Sequence, residues 1–181
     1  MNGWKRVPIG DLVESVENWN PLRAEPNSEF DYIDLSAVDQ DSKTIVEARP
    51  TPCADAPSRA RQLVKEGDIL VSTVRPNLNG VARVSSNLCG ATASTGFCVL
   101  RSRRSMLDGA FLFHWVKSPS FVNDMVNRAT GASYPAVSDR IIFESLIPFP
   151  PLPNSAASRT CWTGRRRCGP NAAPPSPNST R

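Results

Sequence analysis

The hydrophobic pattern changes period part-way along the chain and stops altogether near Pro153. "VPIGDLVESV" spaces its apolar residues as a short helix does, and "ENWNPLRAEPNSE" after it reads as a loop with Pro and Asn as breakers. "FDYIDL" alternates apolar and polar positions, predicting a strand with one wet face, and "TIVEA" predicts a weaker strand. In "LVKEGDILVSTVR" a Lys-Glu-Gly-Asp turn separates two strand-like runs and places Gly67 where positive φ is tolerated. "NGVARV" and "TGFCVL" predict two further strands, with Asn79-Gly80 as turn chemistry between "ILVSTV" and the first of them.

The period then lengthens. "DGAFLFHWVK" is apolar nearly all round, as a buried helix is. "SPSFVNDMVNRATG" predicts an amphipathic helix capped by Ser118, with Pro119 in its first turn. Phe121, Val122, Met125, Val126 and Ala129 share one face, and Gly131 is the stop. A short element "SDRIIFES" and a strand "LIPF" complete the patterned part. Strands first and helices later predict an α+β fold, a twisted mixed or antiparallel sheet flanked by helices. Residues 1–152 are enough for one domain with its own core, and residues 153–181 are read as an irregular tail.

Charge changes this picture only after the tail is set aside. The chain carries 21 Lys and Arg against 17 Asp and Glu, but residues 153–181 hold five Arg and no acid, so residues 1–152 have a net charge of −1. The overall basicity is therefore no sign of a nucleic-acid partner. Its distribution is more telling: residues 59–104 hold eight cations and two acids, whereas residues 1–58 hold five cations and eleven acids. A basic centre in an acidic frame is what a localised phosphate-facing surface needs.

Catalytic chemistry is not visible in the sequence. No GxxxxGK[ST], GxGxxG, GxSxG or HExxH motif is present, so neither a cofactor nor a catalytic centre is expected. The five cysteines form no CxxC pair, and His114 is their only possible imidazole partner, so no metal site and no disulfide framework is indicated. Cys98, inside "FCVL", reads as a buried small hydrophobe, and His114, inside an apolar helix, as a core residue. Asp41, Ser42 and Lys43 spell the DxK that ends a metal-dependent nuclease motif, with Asp31 or Asp34 as an upstream ligand; the alternative is a solvated turn. No apolar run approaches the ~20 residues needed to cross a bilayer, and the start lacks a signal-peptide apolar region, giving a cytoplasmic reading without a membrane partner.

Four segments in register carry a resemblance. They are the Gly-Asp-Ile-Leu turn and strand at Gly67, Val-Arg-Pro at Val74, Thr-Gly-Phe at Thr95, and the loop from Thr130-Gly131-Ala132 into Ile147-Pro-Phe-Pro-Pro-Leu152. In this order and spacing, from about Trp4 to Leu152, the chain resembles the target-recognition domain of the specificity subunit of type I restriction-modification systems. The resemblance implies a non-catalytic module that reads one half of a split double-stranded DNA sequence. By the same resemblance its partners are methyltransferase and restriction subunits, which perform the chemistry.

Residue types then nominate contacts. Arg75, Asn77 and Asn79 follow "ILVSTV" in a loop where Pro76 fixes φ, and Arg and Asn pair bidentately with guanine and adenine edges. Arg59, Arg61, Lys65 and Arg83 flank that strand as cations for phosphate oxygens. Arg75 also has the alternative of an ion pair with Asp68. The loop "TGASYPAVS" is a second candidate, with Ser133 and Tyr134 as donors and Arg128 as nearby charge; packing on a neighbour is the other reading of Tyr134.

The tail has an explanation in codon arithmetic. The resemblance implies a Glu-Gln pair and a long docking helix after Pro-Pro-Leu, where this chain has Asn154 and no helical period. In a frame shifted by one base, the middle base of each codon is the first base of a residue seen here, and a middle T always encodes Phe, Leu, Ile, Met or Val. Cys161, Trp162 and Cys168 begin with T, as do Ser158, Ser176 and Ser179 when they use TCN codons. Counted from Ser158 these fall at 0, 3, 4, 10, 18 and 21, one face of a helix. With G/C-rich codons the shifted text reads EQRRIADVLDRAEALRAQRRAALAQLD. Residues 154–181 are thus expected to be out-of-frame and largely disordered, and docking of the enzyme subunits to be lost with the helix. The rival readings of the whole chain are a nuclease using Asp41 and Lys43, and a protein-interaction fragment with no DNA role.

Overall fold

The computed structural model describes residues 4–25 and 27–149. In chain order its strands are β1 (Lys5–Pro8), β2 (Val13–Glu14), β3 (Glu29–Ile33), β4 (Val38–Asp39), β5 (Thr44–Ile45) and β6 (Arg49–Pro52). They continue with β7 (Ala60–Leu63), β8 (Ile69–Ser72), β9 (Val81–Arg83), β10 (Thr92–Ser94) and β11 (Phe97–Ser102). Three helices follow, α1 (Gly109–Val116), α2 (Pro119–Arg128) and α3 (Asp139–Glu144), before β12 (Leu146–Phe149) closes the described chain.

The α+β architecture holds, with two four-stranded sheets and two two-stranded ladders, β1-β12 and β4-β5, among the described residues. One four-stranded sheet has the order β6-β3-β10-β7 and is mixed, because β10 runs parallel to β3; the other, β2-β11-β8-β9, is antiparallel. The second sheet is buried on both faces. Ile69, Val71, Val81, Cys98 and Leu100 point to a core shared with Leu112, Val116, Phe121, Met125 and Ile142 of the helices. Their neighbours Leu70, Ala82, Phe97 and Val99 point the other way and pack with Ile33 and Ala93 of the first sheet. This is why "ILVS" and "FCVL" are apolar at successive positions and not at alternate ones. Cys98 is buried as expected, and burial pushes its thiol pKa up, so it packs as a neutral apolar side chain.

The helix expected over "VPIGDLVESV" is not formed. Lys5–Pro8 pairs with β12, Ile9–Leu12 makes one 3-10 turn that buries Ile9 and Leu12, and Val13–Glu14 pairs with β11. Two strand ladders on either side leave room for only that turn, so tertiary pairing overrides local period. The Lys-Glu-Gly-Asp turn exists, with Gly67 at φ 87°, but it passes the chain from one sheet to the other and is not a hairpin. β6 and β10 escape the pattern for opposite reasons. "RPTP" is an edge strand where proline costs no ladder bond, and "TAS" is an inner strand of small side chains.

Helix α2 starts where its signals say but ends at Arg128, with Ala129 already extended and Gly131 in the loop beyond, not at the expected stop. Ser118 caps α2 by accepting the Phe121 N–H at 3.3 Å, Pro119 is its first residue, and Phe121 and Met125 are buried while Val126 stays exposed. Asp108 caps α1 with both the Ala110 and Phe111 N–H groups. His114 is a correction: it is exposed, because α1 buries Leu112 and Val116 and turns the intervening His outward. No helix among the described residues is long and apolar enough to cross a membrane. The tail and the boundary drawn at 152 lie outside the described residues.

Candidate nucleic-acid interface

The loop after β8 is built by two neighbours from distant parts of the chain. Thr73 is anchored first: its N–H and its hydroxyl both donate to the Gly96 carbonyl, at 2.9 and 2.8 Å. Its own carbonyl accepts from Val137 N–H at 2.8 Å, and the Arg75 N–H donates to the Pro135 carbonyl at 2.7 Å. The segment 130–137 is thereby stitched onto 73–75, and Thr130 and Ala136 close it by exchanging two backbone bonds of 2.9 Å. Arg75 lies in the left-handed region at φ 49°, Pro76 is buried, Pro76–Leu78 forms a 3-10 turn, and Asn79 is left-handed again.

This stitching sets Arg75 on Tyr134. The guanidinium carbon sits 4.6 Å from the Tyr134 ring centroid, and Tyr134 is 58% exposed. Such a cation–π contact restrains the guanidinium beside the ring. Among the described residues no carboxylate pairs with Arg75: the Asp68 considered as its partner is taken by Arg101, through bonds of 2.9 Å to Nε and 2.7 Å to Nη2. Asn77 is exposed beside Arg75, whereas Asn79 is half-buried and directs its amide nitrogen to the Lys117 carbonyl at 3.4 Å.

The other nominated residues do not all join this surface. Lys65 and Arg83 line a shallow cleft with Arg101 and Arg104, and with Glu14, Glu66, Asp68 and Asp108 as acidic members. Lys65 also reaches Glu17 at 3.4 Å, an exposed pair of small energetic weight. Arg59 lines a different cleft with Tyr32, Asp34, Arg49 and Asp55, and Arg61 turns back on the Ala60 carbonyl at 2.9 Å. Arg128 is held by Glu144 at 3.0 Å and by Asp124 at 3.9 Å and donates to the Ile141 carbonyl at 3.3 Å. Ser133 is exposed next to Tyr134. Arg75 and Tyr134 are therefore brought together, with Asn77 and Ser133 exposed on the same two loops, and the flanking cations fall into separate groups.

Asp41 and Lys43 belong to a hydrogen-bonded turn. Asp39 accepts the N–H groups of Asp41 and Ser42 at 2.7 and 3.1 Å, Asp34 accepts from the Tyr32 hydroxyl at 3.4 Å, and Lys43 bonds a backbone carbonyl. Among the described residues no three His, Cys, Asp or Glu side chains converge as a metal site needs. Sequence reasoning missed Arg101, and it gave Lys43 a metal-dependent role where the structure gives it a backbone carbonyl. Both have partners far along the chain, Asp68 and Asn79, and no local signal announces either.

The two sheets, the helical layer and the loops they present place these residues with the specificity subunits of type I restriction-modification systems, as a target-recognition domain. The described fold superposes on the HsdS subunit from Thermoanaerobacter tengcongensis with a TM-score of 0.75 and 38% identity, over 83% of this chain and 38% of that one. A second solved structure, described by the assembly and conformational transition of the type I system, gives a TM-score of 0.78 at 38% identity, over 84% of this chain and 39% of that one. Among curated proteins, the HindI type I specificity subunit of Haemophilus influenzae is 26% identical over 113 residues, 62% of this chain and 24% of that protein. The chain thus spans about two fifths or less of the length of these relatives. No family model matches it.

Proposed function

We propose that this domain reads one half of a split double-stranded DNA target without catalysing a reaction, and that Arg75 is its principal base-reading side chain. The observation that carries the proposal is the Arg75 guanidinium, stacked on an exposed tyrosine with no carboxylate partner among the described residues. An arginine restrained by a tyrosine ring at one edge of a loop can present the paired donors that fit guanine O6 and N7. Lys65, Arg83 and Arg104, which line a separate cleft at the other end of β8, would add sequence-blind phosphate attraction.

The test is selection from a randomised duplex pool by the purified full chain, followed by binding to the selected and a scrambled duplex. Arg75→Ala should weaken the selected duplex by about 1–3 kcal/mol and leave the scrambled one nearly unchanged. Arg75→Lys should not restore the difference, because an ammonium keeps the charge but loses the planar fork. Equal losses on both duplexes would make Arg75 a phosphate contact. No binding even at low salt would favour the protein-interaction reading over the DNA one.

Methyltransferase and restriction subunits are the proposed partners of such a domain, but their docking helix would lie in the shifted frame, so this chain is expected not to hold them. The residues concerned, from 150 onward, lie outside the described set. Sequencing the coding DNA across Pro153 should show one shifted frame continuing as Glu-Gln and a long amphipathic helix. If no frame does, the tail is authentic and its five arginines become candidates for DNA contact. Recovery of methyltransferase subunits with this chain on purification would overturn the loss of docking.

A further inference from the structure

Among the described residues only three non-glycine side chains lie at positive φ, namely Lys43 at 58°, Arg75 at 49° and Asn79 at 49°. Asn takes this conformation readily, but for Lys and Arg it costs free energy and persists only where the surroundings impose it. All three meet at one place. The Lys43 amine donates to the Asn79 carbonyl at 2.6 Å, and Arg75 and Asn79 bracket the 3-10 turn Pro76–Leu78.

The hairpin β4–β5 is built to deliver that amine. Asp39 accepts two successive N–H groups with its carboxylate and the Lys43 N–H with its carbonyl at 3.0 Å, which folds the turn and forces Lys43 left-handed. Lys43 is half-buried, and burial together with the nearby Lys117 amine depresses its pKa, so this is a costly place for a cation. A strained backbone and a partly desolvated charge are both accepted to put one donor on one carbonyl. The reading loop is consequently clamped at both ends, by Pro135 on the Arg75 N–H and by Lys43 on the Asn79 carbonyl, with Asn77 and Leu78 exposed between the clamps.

We infer that Lys43 is a positioning residue for DNA specificity: its bond to Asn79 fixes the loop that presents Arg75 and Asn77, so the hairpin turn 39–43 is part of the recognition apparatus. This rests on the DNA-reading proposal above. Preorganising a loop in its bound form raises affinity for the matching partner by removing an ordering cost, and here the matching partner is the cognate half-site.

The experiment compares the full-length wild-type chain with Lys43→Asn, Lys43→Gly and Lys43→Arg on the duplex selected by the wild type and on a scrambled duplex, across a salt series. Asn and Gly both tolerate positive φ and lack the amine, so each removes the clamp without straining the turn. Both should reduce the ratio of selected to scrambled binding about tenfold with an unchanged salt slope, and Arg should restore part of it. A wild-type ratio in both Lys43→Asn and Lys43→Gly would overturn the inference. So would equal weakening of the two duplexes with a shallower salt slope, which would make Lys43 a phosphate contact. If the wild-type chain itself selects no sequence, the DNA-reading proposal fails first and this inference with it.

Discussion

Asp68→Ala should destabilise the domain by about 3–5 kcal/mol, read as a lower urea midpoint with an unchanged slope. The Asp68 side chain is 2% exposed and its partner Arg101 13%. The carboxylate accepts three bonds at once, from Arg101 Nε at 2.9 Å, from Arg101 Nη2 at 2.7 Å and from the Lys65 N–H at 2.8 Å. It therefore fixes the turn before β8 to the end of β11, and the same guanidinium reaches the Leu63 carbonyl of β7 at 3.3 Å. Removing the acid strands a nearly buried cation, and that desolvation without compensation dominates the loss. Replacing the pair together, as Asp68→Leu with Arg101→Met, should cost far less than Asp68→Ala alone. If the single substitution costs no more than an exposed ion pair, under about 1 kcal/mol, the pair does not join the sheets.

Such a pair marks the boundary of what the sequence makes legible. The strands "ILVS" and "FCVL", the cap Ser118 and the turn glycine Gly67 are local signals, and each is realised where the chain announces it. "VPIGDLVESV" fails because the ladders that decide it belong to β11 and β12, far along the chain. At the site, Arg75 and Asn77 are legible from residue type and from Pro76, which stiffens their loop. The stack on Tyr134 is not, since it depends on the 130–137 segment bridging to Val74 and Arg75. Lys43 shows the same limit more sharply: its neighbours in sequence, Asp41 and Ser42, suggest metal chemistry, whereas its neighbour in space is a backbone carbonyl. Residue type points to chemistry, but only long-range pairing decides what that chemistry faces.

The consequence of that pairing for function is testable at Gly131. It sits at φ 103°, and a Cβ there would lie 2.8 Å from the Tyr134 carbonyl oxygen and 3.4 Å from its carbon, both backbone atoms that cannot swing aside. Gly131→Ala must therefore strain the residue or open the loop that Thr130 and Ala136 close. The strain should cost about 1–3 kcal/mol of stability. Opening the loop moves the Pro135 carbonyl off the Arg75 N–H and Tyr134 from under the guanidinium, so discrimination for the selected duplex should also fall, by roughly ten- to a hundredfold. Gly90→Ala separates the two effects, because Gly90 lies at φ 91° with nothing within 4 Å of a new Cβ. It should lose stability through φ alone and keep full discrimination. Gly131→Ala binding with wild-type discrimination would show that Arg75 does not depend on the 130–137 loop for its aim, and the reading site would shrink to the 73–80 segment alone.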